Sequence, residues 1–171
     1  LFFSTPFRIH PSGPRRTNDV SLLYRHMIIQ NDKQHGTTRV GILLGGKIPT
    51  HNRSDGAVQG GLVATYFKAR HQIDSDVVYA QGIKQSPNTL RYDISWQYRI
   101  FPAVYPEWGL SSSVNTVLEY NVRWVEGNKL VQQATVGLQW VSAQWIFEVG
   151  VVKDLNSPHG VASIFSVRVH I

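Results

Sequence analysis

The chain has 171 residues, enough for one domain, and no cysteine, which excludes disulfides and thiolate metal sites. Its net charge of +6 would suit nucleic acid, but the 17 Lys and Arg are dispersed with no run longer than Arg15-Arg16, so no nucleic-acid partner is expected. No apolar run approaches the roughly 18–20 residues of a transmembrane helix, and this leaves strands as the only way such a chain crosses a membrane.

The chain starts at Leu1 without a methionine or a visible signal peptide, as expected of a processed or truncated chain. Leu1 to His10 reads as a strand or its remnant, interrupted by Pro6, and Pro11, Gly13 and Pro14 mark a loop. Val20 to Gln30 is extended in character but poorly sorted, because Leu22, Leu23, Ile28 and Ile29 occupy both parities. Arg39 to Lys47 reads as a strand with Val40, Ile42 and Leu44 on one side and Leu43 as the apolar exception on the other. Pro49 to Gly60 reads as a long polar loop. Leu62 to Arg70 and Val77 to Lys84 read as strands joined by a polar connection around Asp74 and Ser75.

Thr89 to Ile100 carries the strongest signal. Leu90, Tyr92, Ile94, Trp96, Tyr98 and Ile100 share one parity; Arg91, Asp93, Ser95, Gln97 and Arg99 share the other. A period of two belongs to a strand, whose successive side chains point to opposite faces. A connection with Pro102, Pro106 and Gly109 follows. Val114 to Trp124 alternates in the same way, with Glu119 and Arg123 on the polar side, and ends at a turn over Glu126-Gly127-Asn128. Leu130 to Trp140, Trp145 to Val151 and Phe165 to Ile171 continue the pattern, with Gln132 breaking one apolar face and a short turn over Val141 to Gln144. No helical periodicity competes.

Two solutions fit a strand with one greasy and one charged side: a core with water outside, or lipid with a polar lumen inside. The charges on the polar side have both signs, which suits a wet or salt-bridged lumen, although the solvated outer face of a soluble sheet would look alike. Trp124, Trp140 and Trp145 stand at strand ends, where an interfacial aromatic girdle places them, and Trp96 and Tyr98 join that set. If each strand reverses, Trp140, Trp145 and the end of the last strand reach one rim, of the short-turn periplasmic kind, and the 49–60 loop reaches the other. The connection from Pro102 to Ser112 is long for that rim. The expected fold is therefore all-β: an antiparallel up-and-down transmembrane β-barrel of about ten strands, roughly eight to twelve, in a single domain.

Four stretches resemble the outer-membrane barrels of the phenol-degradation meta-pathway (transporter) family. Asn18-Asp19-Val20-Ser21-Leu22 is similar to its Gly-Asp-hydrophobic strand start, and Leu43 to Thr50 to its strand ending in Leu-Lys-Leu-Pro-Thr-Gly, with His51 in place of glycine. Leu118-Glu119-Tyr120-Asn121 is similar to its Glu-Leu-Asn-Gly strand. Thr135 to Trp140 is similar to its Pro-Gly-Leu-Gln-Tyr segment, with Val136 in place of proline. The resemblance runs from Asn18 to Ile171 in short motifs, and the family ends in phenylalanine where this sequence has Ile171. It implies further N-terminal strands, residence in the bacterial outer membrane, and passive passage of small, hydrophobic molecules.

The expected lumen-lining residues are Arg91, Asp93, Arg99, Glu119, Arg123, Glu148 and Arg168, which would favour anionic or polar solutes in a pore. The same charges also fit a salt-bridge network that plugs a narrow barrel. The expected partners are membrane lipid, a small-molecule solute and, if the lumen is closed, proteins of an envelope assembly; a soluble ligand-binding barrel is the remaining alternative. No metal, cofactor or catalytic residue is expected. His26, His51, His71, His159 and His170 form no ligand-spaced pair. Ser166 and His170 share a face but stand roughly 13 Å apart along a strand, too far for direct proton transfer. No Gly-Lys-Ser/Thr follows the glycines at 45, 46, 60 and 61, so there is no phosphate loop.

Overall fold

The computed structural model describes residues 2–4, 20–33, 36–49, 56–84, 86–104, 112–156 and 160–169. Among them there is no helix. Nine long strands follow a three-residue stub: β1 (Phe2–Ser4), β2 (Val20–Lys33), β3 (Gly36–Ile48), β4 (Ala57–Lys68), β5 (His71–Gly82), β6 (Thr89–Phe101), β7 (Ser113–Val125), β8 (Val131–Val141), β9 (Trp145–Asp154) and β10 (Val161–Val169). They form one antiparallel sheet in sequence order, each strand hydrogen-bonded to its neighbours along the chain. The all-β, up-and-down expectation is met. Closure is not: among the described residues β10 pairs only with β9, and β1 covers only Ser21 to Leu23 of β2, so the sheet stays open.

Most boundaries follow the alternation, and the exceptions have physical causes. The connection expected around Asp74 and Ser75 lies inside β5, where Asp74 pairs with Thr65 and Ser95 in an unbroken ladder. Residues 57–60, expected in a loop, open β4. β2 looked unsorted because its register with β3 shifts between Met27 and Ile29, making Ile28 an extra residue that resets the alternation. A second shift, between Arg99 and Phe101, removes Ile100 from the apolar ladder that Leu90 to Tyr98 follow and puts Phe101 opposite Val114. The 11–14 loop, most of the 49–56 connection, Pro106, Gly109, His51, His159, His170 and Ile171 lie outside the described residues.

Register divides the side chains into two faces, and their burial is inverted relative to a water-soluble sheet. In β8, Thr135 and Gln139 are 4% and 7% exposed, while their neighbours Val136, Leu138 and Trp140 are 61%, 49% and 42% exposed. Among the described residues five apolar side chains are buried and thirty large hydrophobic ones are exposed, so no apolar core exists to account for the fold. We call the apolar side outer and the polar side inner.

The inner side is strongly concave. Phe67 of β4 and Ile146 of β9 line one hollow. Five strand spacings in a flat sheet would separate them by about 24 Å, far more than a hollow of about 270 Å³ spans. Glycine on the inner face permits the curl. Gly137 and Gly150 face each other in register, and a Cβ on either would stand 2.9 Å and 2.8 Å from the carbonyl oxygens of Val149 and Val136. Val117, 1% exposed, pairs across to Gly137 on the same face. At the β7–β8 turn, Gly127 adopts φ 80°, a left-handed conformation for which glycine has no Cβ penalty. Ala69, in the two-residue β4–β5 turn, has φ 55° with that penalty.

Two substitutions test this account by urea unfolding of the folded chain. Gly150→Val is expected to destabilise by more than about 2 kcal/mol, since it forces backbone apart in a fixed register. Ala69→Gly is expected to be neutral or stabilising by about 0.5–1 kcal/mol, since it removes the left-handed penalty.

Candidate functional site: the charged inner face

The ladders place all seven expected lumen residues on the inner side. Arg91 pairs across to Arg123, Asp93 to Asn121, Ser95 to Glu119 and Arg99 to Asn115, and the same face continues through Glu148 and Arg168. Asp74 and Asp76 of β5, in the segment expected to be a connection, share the face. Their signal was present: Gln72, Asp74 and Asp76 alternate with Ile73, Ser75 and Val77.

The middle of this face holds a linked set of charges. Arg91 Nε lies 2.8 Å from Asp93 Oδ2 and its Nη2 lies 3.2 Å from Asp76 Oδ1, so one guanidinium spans two carboxylates. Asn121 Nδ2 donates to Asp93 Oδ1 at 2.7 Å, and Asp74 accepts from Thr65 Oγ1 at 2.7 Å and Gln72 Nε2 at 2.6 Å. Asp74, Asp76, Asp93 and Asn121, with Glu119 and Arg123, line a hollow of about 360 Å³. Glu148 pairs separately with Arg168 at 2.8 Å and accepts from Ser166 Oγ at 3.4 Å. Arg99 stands apart, near the rim of tight turns, where its Nη2 donates to the Ala69 carbonyl at 3.3 Å.

The expected girdle residues lie on the outer side, at two levels. Trp96 and Tyr98 cluster with His71 near the β4–β5 turn; Trp96 stacks on His71 at 5.9 Å, and its Nε1 donates to His71 Nδ1 at 3.2 Å. Trp140 and Trp145, flanking the β8–β9 turn at the same rim, both stack on Phe147. Trp124 stands at the opposite rim, facing Leu90. Gln132, the polar break in the outer face, accepts from the Tyr120 hydroxyl at 3.1 Å through its Oε1. Among the described residues no group of His, Asp or Glu is arranged to hold a metal ion.

No family model, curated protein or solved structure matches the chain.

The Arg91–Asp93 pair reports how wet the inner face is, because a half-exposed pair is worth little and a dry one a great deal. A double-mutant cycle over Arg91→Ala and Asp93→Ala, read by urea unfolding, is expected to give about 0.2–1 kcal/mol, the range of solvated pairs. A coupling above about 3 kcal/mol would mark a dry plug.

Proposed function

We propose that this sheet is the wall of a transmembrane β-barrel of the bacterial outer membrane, roughly eight to twelve strands around, through which small molecules pass. The observation that carries the reading is the inverted burial: glutamine and threonine are shielded on the inside while leucine, valine and tryptophan stand bare outside. An apolar medium solvates such an outer face; water does not. The dimensions support it. Val114 and Trp124, ten residues apart on β7, are about 33 Å apart along the strand and about 25 Å apart along the normal at a usual tilt, the height of a barrel's apolar band. The direction of the strands supports closure: β1 and β10 run in opposite senses, as the seam of an antiparallel barrel requires. The sequence resemblance to the phenol-degradation meta-pathway barrels points the same way. The lumen so formed has charges of both signs, which fits the passage of polar solutes.

Planar-bilayer recording tests passage: the folded chain is expected to give discrete conductance steps, and a folded but silent chain would favour the closed barrel of an envelope assembly. A second measurement tests the membrane itself. Leu118→Arg, in the middle of β7 on the outer face, is expected to destabilise the bilayer-folded protein by about 2–4 kcal/mol, the cost of a cation facing acyl chains at mid-depth. A change within about 0.5 kcal/mol, as on a water-facing surface, would overturn the assignment.

A further inference from the structure

The outer side of the sheet carries charge of one sign. Among the described strand residues no Asp or Glu falls on it, and its charged side chains other than histidine are lysines near its two ends: Lys33 and Lys68 at the rim of tight turns, Lys153 towards the other. Lys33 and Lys68 belong together. Each pairs across to Gly36 from one of the two strands that flank it, so their backbones stand about 10 Å apart, two strand spacings. The glycine between them has no side chain, and all three residues line a hollow of about 420 Å³. Neither lysine makes an ion pair or a hydrogen bond with a described residue. Asp32, next to Lys33 in the chain, falls on the inner side, where it pairs with Arg39 at 3.2 Å.

From the lysines towards the middle of the sheet, the outer side changes character row by row. Asn31, Thr38 and Tyr66, in register with one another, also line the hollow. Ile29, Val40 and Ala64 form the next row, and Ile42 and Leu62 pair in the one after. Rows on one face lie about 7 Å apart, so cations, then hydroxyl and amide groups, then aliphatic side chains follow within about 20 Å. A phospholipid presents its parts in that order: phosphate, glycerol esters, acyl chains. The aromatic cluster of His71, Trp96 and Tyr98 continues these rows on β5 and β6, and such rings settle at headgroup depth in a bilayer.

We propose that this notch binds the headgroup of an anionic phospholipid, with the phosphate between the Lys33 and Lys68 ammonium groups, the ester region at Asn31, Thr38 and Tyr66, and the chains along Val40 and Leu62. The inference rests on the proposed reading of the outer side as the lipid-facing one and adds a preferred lipid to it. A lysine is a compact charge on a flexible stem, so two of them can converge on one phosphate across a glycine. A zwitterionic lipid of the same chains carries its own ammonium group and gains less from the pair.

The test uses the full chain folded in an uncharged detergent. Its probes are phosphatidylglycerol and phosphatidylcholine with identical chains, and inorganic phosphate as competitor; native mass spectrometry reads the bound lipid. Phosphatidylglycerol is expected to bind at least about fivefold tighter than phosphatidylcholine, the worth of one lysine near an anionic headgroup. Inorganic phosphate in large excess is expected not to displace it. Lys33→Gln with Lys68→Gln is expected to abolish the preference, while Lys153→Gln leaves it intact. Equal binding of the two lipids, an unchanged preference in the double variant, or the same loss in Lys153→Gln would overturn the site. Displacement by inorganic phosphate would overturn the lipid as its occupant. If the double variant does not fold, Lys68→Gln decides alone: a several-fold loss of preference is expected, and no loss overturns the site. Equal lipid binding in a chain that Leu118→Arg destabilises would remove this site and leave the membrane wall standing. A phosphatidylglycerol preference in a chain indifferent to Leu118→Arg would remove the wall and leave the site.

Discussion

A strand cannot choose the side on which each residue falls; its neighbours necessarily point opposite ways. In β8 that constraint shields Gln139 and bares Leu138 and Trp140, and the ladders carry the same division from β2 to β10. Everything else in the structure depends on what solvates the bare side. Removing a large apolar side chain from water is worth about 1.5–3 kcal/mol. Thirty such residues exposed among those described represent tens of kcal/mol, several times the about 5–15 kcal/mol that separates most folded chains from unfolded ones. The surrounding medium therefore decides whether this sheet is stable.

Curvature is the second consequence of a wall with no apolar core. A sheet packed against another sheet can stay nearly flat, whereas one that must satisfy its polar side by itself has to fold that side inward. Gly137 and Gly150 allow the approach of β8 and β9, and Val117 pairs across to Gly137. The inner face is thus not uniformly polar. It holds a buried valine opposite a glycine, and polar side chains where other polar groups can meet them. The bulges in β2 and β6 act on the same geometry, each adding a residue to one strand and sharpening the local twist.

How much of this was legible in the sequence varies strand by strand. β6 to β9 could be read almost residue for residue, because Leu90 to Tyr98 alternates without error and Val114 to Trp124 departs only at Thr116 and Val117. β5 could not, because Asp74, Ser75 and Asp76 put three polar residues in a row, which looks like a turn until pairing with β4 and β6 shows the middle one to be on the outer side. β2 failed for a different reason: a bulge at Ile28 leaves no mark in composition. The seven charged positions were legible as one face, since parity alone groups them. Their partition into a paired middle and a rim was not legible. It depends on the curl, which brings Phe67 of β4 and Ile146 of β9, nearly eighty residues apart in the chain, to the walls of one hollow. Gln139 shows the limit most clearly: its residue type gives no hint that it is shielded.

That partition bears on what the inner face can do. In the middle, Arg91 spans Asp76 and Asp93, so the positive charge there is compensated by side chains that would have to be displaced before an anion could use it. At the rim, Arg70 is held by carbonyls and by the outer-side ring of Tyr98, which fix its direction without neutralising it. Two arginines of one sheet therefore have different chemistry, Arg91 among carboxylates on the inner side and Arg70 against the outer-side ring of Tyr98, although residue type treats them alike. The cause is the turn that carries Arg70: it presents the guanidinium to the end of β6, where the bulge after Arg99 leaves carbonyls to receive it. Backbone groups that would otherwise continue a ladder thus become the means by which a cation is oriented without being neutralised.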